Sequence, residues 1–95
     1  MGRLVNIGFG NMVNTDKVLA VVNPDAAPVK RMVAGAKEEG MSIDATQGRR
    51  TKSVIILEEG RVMLSALQPD TIARRFNSDP AFHAEMSAEE DEEDE

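Results

Sequence analysis

The chain has no cysteine, tryptophan or tyrosine, and only one histidine among its 95 residues. Without cysteine it forms no disulfide, and it lacks the thiolate that binds zinc or acts as a nucleophile. The single histidine, His83, belongs to an acidic C-terminal stretch. The rest of the chain therefore has neither a His/Cys metal site nor a Ser-His catalytic pair. The composition predicts no cofactor, no metal and no enzymatic activity.

Long hydrophobic runs are absent as well. The first residues contain one cation, Arg3, followed by polar Asn6, and they lack the apolar core of a signal peptide. No segment approaches the roughly 20 apolar residues that a membrane-spanning helix needs. We therefore expect a cytoplasmic protein with no membrane partner. Because no catalytic arrangement is recognisable, we also expect no small-molecule substrate.

Basic residues are missing from the C-terminal end. Residues 77–95 contain nine of the 17 acidic residues and no Lys or Arg, whereas residues 1–76 contain all 11 basic residues and eight acidic ones. The net charge of -6 is thus the sum of +3 and -9. Consecutive carboxylates over residues 89–95 repel one another, so residues 77–95 are predicted to be a disordered acidic tail. Residues 1–76 are predicted to form one domain.

Hydrophobic patterning in that domain predicts a mixed α+β fold in the order β-β-α-β-β-β-α. About five strands are expected in one small mixed sheet, at residues 4–7, 17–22, 41–45, 53–57 and 62–66. The main helix should begin near Pro28 and end before Gly40, because apolar residues repeat there at helical spacing. A short C-terminal helix follows Pro69, with Arg74 and Arg75 predicted to face outward.

The densest cationic cluster lies between the third and fourth predicted strands. Arg49, Arg50 and Lys52 fall within four residues, and Gly48 beside them suits the turn of a β-hairpin. Such a tip would project the cations away from the core, and arginine favours bidentate contact with phosphate or guanine. The cluster therefore predicts binding to a large anionic partner, for which nucleic acid is the obvious candidate, although the residues alone leave a merely solvated turn open. Lys17, at the start of the second strand, is a further candidate contact.

The segment Gly8, Phe9 and Gly10 contains two of the three glycines of a dinucleotide-binding fingerprint. The third position is Val13, and no strand-helix-strand unit follows. We interpret the segment as a tight turn between strands, with Phe9 available for packing at an interface.

The predicted domain is small and has neither a disulfide nor a metal to stabilise it. Domains of this size bury only about 60% of their unfolded surface, and oligomerisation is a common remedy. We therefore expect self-association.

Several motifs are distinctive when they are taken together: residues 6–11 (NIGFGN), 27–31 (APVKR), 43–46 (IDAT), 48–51 (GRRT), 64–66 (LSA) and 68–69 (QP). In this order they resemble the RemA family of bacterial extracellular matrix regulatory proteins. The resemblance runs from about Leu4 to Phe76. It implies a DNA-binding transcription regulator that activates biofilm-matrix and osmoprotection genes. It also implies a fold similar to the LytTR DNA-binding domain.

The resemblance further implies a ring-shaped homo-oligomer that wraps DNA around its outside, an octamer being one candidate size. The critical cations of the family fall on Arg49 and Arg50, and an arginine of the family falls on Lys17; Lys52 would support them. Two departures stand out. Gln47 occupies a position that is commonly aromatic, and Lys17 keeps the charge without the planar fork of arginine. The alternative to DNA is an interaction or scaffold module whose basic tip binds RNA or an acidic protein.

Overall fold

In a computed structural model, which describes residues 2–77, the chain forms six strands and two helices. The strands are β1 (Leu4–Asn6), β2 (Met12–Asn14), β3 (Val18–Val22), β4 (Ser42–Asp44), β5 (Ser53–Leu57) and β6 (Val62–Ser65). The helices are α1 (Ala27–Glu38) and α2 (Pro69–Asn77). The predicted α+β class is confirmed. The predicted acidic tail lies, apart from Asn77, outside the described residues.

The strands form two sheets rather than the single sheet predicted. Strands β1 and β2 pair as an antiparallel hairpin, and the other four form a sheet in the order β3-β5-β6-β4. Strand β2 was not predicted, because its three residues are too short to show an alternating pattern. The predicted turn at Gly8 and Gly10 is confirmed as the connection between β1 and β2.

The predicted hairpin between β4 and β5 is wrong. Strand β4 pairs in parallel with β6, and β6 lies between β4 and β5. The connection between β4 and β5 therefore crosses over the end of β6, a distance of two strand spacings, or about 10 Å. The second predicted turn, at residues 58–61, does close an antiparallel hairpin between β5 and β6.

The four-stranded sheet is covered on both faces. Along β5 the side chains alternate: Val54 and Ile56 pack with α1, whereas Ile55 and Leu57 pack with residues of the β1–β2 hairpin and α2. Ile55 is fully buried. Burial of an apolar side chain of this size stabilises the fold by about 1.5–3 kcal/mol. The molecule thus has three layers, with the sheet in the middle.

Helix α1 begins and ends as its sequence predicts. Pro28 lies in the first turn, and Gly40 follows the helix with a φ of 73°. The backbone N–H of Met41 donates to the carbonyl of Ala36 at 2.8 Å, and that of Gly40 donates to the carbonyl of Lys37 at 3.2 Å. These two bonds are a Schellman motif, which satisfies the last carbonyls of a helix. Within residues 2–77, no helix is both long enough and apolar enough to cross a membrane.

Helix α2 is joined to the β1–β2 hairpin by an arginine that the sequence pattern placed wrongly. Arg75 was predicted to face outward, but it is only 2% exposed, and its guanidinium donates to the carbonyl of Asn6 at 2.6 Å. Arg3 donates to the carbonyls of Arg75, at 2.7 Å, and Phe76. Arg74 is exposed, as predicted. Arg75 was predicted to lie on the surface because it is charged. Its burial depends on a backbone acceptor in β1 that is distant in sequence, so the local pattern does not indicate it.

Candidate nucleic-acid interface

The predicted cations lie on the crossover connection between β4 and β5, and residues 47–52 of this connection are called the basic loop below. At its start, the backbone N–H of Arg49 donates to the carbonyl of Thr46 at 3.0 Å. The two residues between them, Gln47 and Gly48, have φ angles of 56° and 80°. This pattern is that of a type I′ turn, in which both central residues have positive φ. The local turn is therefore the predicted one, although the flanking strands do not pair with each other.

A carboxylate fixes the turn from the β4 side. Asp44 Oδ1 accepts hydrogen bonds from the Thr46 hydroxyl at 2.6 Å and from the Thr46 backbone N–H at 2.9 Å. The hydroxyl bond, followed by the backbone bond, lowers the pKa of Asp44 below its ordinary value, because both stabilise the ionised carboxylate. Thr46, the first residue of the turn, is itself buried, and its burial also fixes the start of the turn.

A buried serine holds the other end of the loop. The carbonyl of Ser65 accepts from the Lys52 backbone N–H at 2.9 Å. The hydroxyl of Ser65 donates to the carbonyl of Ile7 at 2.7 Å and accepts from the Leu67 backbone N–H at 3.1 Å. Ser65 thus connects the basic loop to the β1–β2 hairpin through β6. This role of Ser65 was not predicted from the sequence, in which the only signal is a polar residue in an otherwise apolar strand.

The cations themselves point away from the core. Arg49 and Arg50 are exposed, and Lys52 is half-buried. Arg50 and Lys52 line an open cleft of about 150 Å³, together with Asn23, Asp25 and Gln68. The structure therefore brings Arg49, Arg50 and Lys52 together on one end of the sheet, where cations can reach a large anionic partner.

Lys17 does not join this group within one protomer. Lys17 directly precedes Val18, the first residue of β3, and Val18 pairs with Leu57 at the end of β5. The Nζ of Lys17 lies 3.4 Å from a carboxylate oxygen of Glu58. The basic loop lies at the opposite end of β5, which has five residues. At about 3.3 Å per residue, roughly 16 Å separate the two ends. Lys17 remains a predicted contact, at a separate place on the protomer.

An aromatic ring lies against the basic loop. The guanidinium carbon of Arg49 is 5.9 Å from the ring centroid of Phe9, within the range of a cation–π contact. Phe9 has a φ of 53° and stands between two glycines that also have positive φ. Phe9 was not predicted from the sequence to belong to the cationic site. An aromatic residue within a glycine-rich turn was the available signal.

Other kinds of site find little support among the described residues. Within residues 2–77, no group of three or more His, Cys, Asp or Glu side chains is arranged to hold a metal ion. A cleft of about 420 Å³ lies at the far end of the sheet beside Lys17, between Met12, Leu57 and Met63.

The family model and the similar proteins all carry descriptions of regulatory proteins. Residues 4–76 match the model of the RemA-like family, "Extracellular matrix regulatory protein A-like". A "Putative regulatory protein" of Lachnoclostridium phytofermentans is 56% identical over 77 residues, which are 81% of this chain and 85% of the relative. A protein of the same description from Thermoanaerobacter sp. strain X514 is 50% identical over 93 residues, or 98% of this chain and 96% of the relative. A third, from Synechococcus sp., is 57% identical over 74 residues, or 78% and 83%.

Proposed function

The chain belongs to the RemA-like family over residues 4–76, and on that basis we propose that it is a DNA-binding transcription regulator. It would activate genes of the biofilm-matrix or osmoprotection type from the cytoplasm, without catalysing a reaction. The observation that carries the proposal is the exposed basic loop, whose two ends are fixed by Asp44 and Ser65. A cationic loop that is ordered before binding loses less conformational entropy when it meets DNA.

Contacts of this loop would go mainly to DNA phosphates. Arg49 and Arg50 carry planar guanidinium groups that can donate two parallel hydrogen bonds to one phosphate. One protomer offers few such contacts, and the described residues include Asp25 and Asp44 near the same end. A single protomer would therefore bind DNA weakly.

A ring-shaped homo-oligomer would multiply these contacts. Large apolar side chains lie exposed on the hairpin, on both edge strands and on α1. They are Leu4, Met12, Leu19, Met32 and Ile43. Leu19 and Ile43 lie on opposite edges of the four-stranded sheet. A ring needs two different surfaces that meet head to tail, and exposed apolar residues are common at such interfaces.

DNA binding by such a ring should depend strongly on salt concentration. If each protomer contacts about two phosphates and about four protomers engage the DNA, roughly eight contacts form. The logarithm of the binding constant would then fall with the logarithm of salt concentration with a slope of about -7. Binding of this kind depends on the shape and flexibility of the duplex more than on base edges.

The competing proposal is an interaction module whose basic loop binds RNA or an acidic protein. The experiment that separates the two is a binding titration of the full chain against duplex DNA, RNA of the same length and an unstructured polyanion. DNA binding predicts a duplex preference that persists above about 150 mM salt, where general charge attraction is largely screened. Equal affinity for all three polyanions would contradict it.

A further inference from the structure

We propose that Phe9 is a positioning residue for Arg49, so that the turn of the β1–β2 hairpin and the basic loop act as one DNA-contacting surface. The inference rests on the proposed function and extends it to a second element of the fold. It starts from the 5.9 Å separation between the Arg49 guanidinium carbon and the Phe9 ring centroid.

The contact suits a cation that must also reach phosphate. A ring engages the face of a guanidinium, whereas hydrogen bonds to phosphate leave from the N–H groups in its plane. Stacking on Phe9 would therefore orient Arg49 without competing for the same atoms. It would also restrict a long side chain that otherwise loses rotamer freedom when it binds.

The backbone at Phe9 gives a second, independent reason. Phe9 and Gly10, with φ angles of 53° and 77°, are the central residues of a turn closed by the Asn11 N–H and the Gly8 carbonyl at 3.0 Å. Asn, Asp or Gly usually occupy the first central position of such a turn, and a bulky residue there is strained. Strained residues of this kind cluster at functional sites.

The turn is also held in place relative to the basic loop. The carbonyl of Ile7 accepts from the Ser65 hydroxyl at 2.7 Å, and the carbonyl of Asn6 accepts from Arg75 at 2.6 Å. The backbone carbonyl of Ser65 accepts from the backbone N–H of Lys52, in the basic loop, at 2.9 Å. The backbone at Ile7, two residues before Phe9, and the backbone of the basic loop at Lys52 are therefore both hydrogen-bonded to Ser65, the last residue of β6.

A double-mutant cycle on the full chain tests the inference. The affinity for a fluorescein-labelled duplex is measured for the wild type, Phe9→Leu, Arg49→Ala and the double variant. We expect Phe9→Leu to weaken binding by about two- to fivefold, the range for an exposed cation–π contact. In the Arg49→Ala background the same change should have no further effect, because the positioned cation is gone.

Rescue and control variants separate positioning from structural damage. Phe9→Trp should retain or increase the affinity, because tryptophan offers the best cation–π face. It also introduces the only tryptophan of the chain, whose emission should change when DNA is added. Ala73→Ser, at an exposed position of α2 outside the proposed DNA-contacting and oligomer surfaces, should leave the affinity unchanged.

A measurement without DNA tests the placement by itself. In NMR spectra, the ring current of Phe9 should shift side-chain protons of Arg49 upfield, and Phe9→Leu should remove the shift. Absence of that shift would overturn the inference. So would equal weakening by Phe9→Leu in both backgrounds, or dissociation of the oligomer by Phe9→Leu in light scattering. Failure of the proposed function looks different, because the wild type itself would then show no duplex preference.

Discussion

The guanidinium of Arg75 donates a hydrogen bond of 2.6 Å to the backbone carbonyl of Asn6, and this contact connects the last turn of α2 to the end of β1. Arg75 is 2% exposed, whereas its neighbour Arg74 is exposed. Two adjacent arginines of one helix thus have different roles. One belongs to the interior contact between α2 and the hairpin, and the other belongs to the surface.

We expect Arg75→Met to destabilise the protein by about 1–3 kcal/mol, because the acceptor it leaves behind is partly buried and unpaired. Arg74→Met is the matched control and should change the free energy of unfolding by less than about 0.5 kcal/mol. Urea denaturation of the two variants beside the wild type measures both values. Equal unfolding free energies for the two variants would contradict the interior role of Arg75.

Substitution of Arg50 should act on DNA binding and leave stability intact. Arg50→Ala removes an exposed cation of the basic loop, so we expect binding to be lost while the melting temperature stays close to that of the wild type. The control is Arg61→Ala, which removes an exposed arginine beside the turn between β5 and β6, at the opposite end of the sheet. A collapsed melting temperature in Arg50→Ala, or an equal loss of binding in Arg61→Ala, would count against the assignment.

Lys17 can be tested through its ion-pair partner. Glu58 lies 3.4 Å from Lys17, and both side chains are more than one-third exposed, so the pair should contribute less than about 1 kcal/mol to stability. If Lys17 contacts DNA in the oligomer, Lys17→Ala should weaken binding and Glu58→Gln should strengthen it. Anisotropy titrations at one salt concentration measure both effects. Unchanged affinity in both variants would remove Lys17 from the set of contacts.

The sequence predicted local structure well and long-range pairing less well. The capping residues Pro28 and Gly40 bounded α1 correctly, and Gly48 marked a turn with positive φ, because these signals depend on a few neighbouring residues. The pairing of β4 with β6 was missed, since a type I′ turn is typical of hairpins and nothing local shows that another strand lies between.

The same limit applies to the candidate site. Arg49, Arg50 and Lys52 are adjacent in sequence and were predicted as one cluster, which the fold keeps together. The separation of Lys17 from them depends on the direction of β3 beside β5. The contact of Phe9 with Arg49 joins residues 40 positions apart, so it depends on how the hairpin packs against the sheet. Neither relationship has a signature in a single sequence.

The anchor of the basic loop should respond to acid. The Thr46 hydroxyl and backbone N–H lower the pKa of Asp44, so its ionised form contributes stability at neutral pH. That contribution is present above the ordinary pKa of an aspartate, about 3.9, and is lost as the pH falls through the lower folded value. In Asp44→Asn the corresponding loss should be absent. Urea midpoints of both proteins between neutral and acid pH measure it, and parallel curves would contradict the role of Asp44.

Removal of residues 78–95 should strengthen DNA binding at low salt. These residues contain nine acidic groups and no Lys or Arg, and they are covalently attached to a domain with a net charge of +3 over residues 1–76. An attached polyanion competes with DNA for the basic loop at an effective concentration on the order of millimolar. The gain should fade as salt rises, because the competition is electrostatic.

A full-length variant with the nine acidic residues changed to Asn and Gln should gain as much as the truncated chain. That comparison distinguishes the charge from the mere presence of the segment. Unchanged affinity of both variants at low salt would show that these carboxylates do not compete.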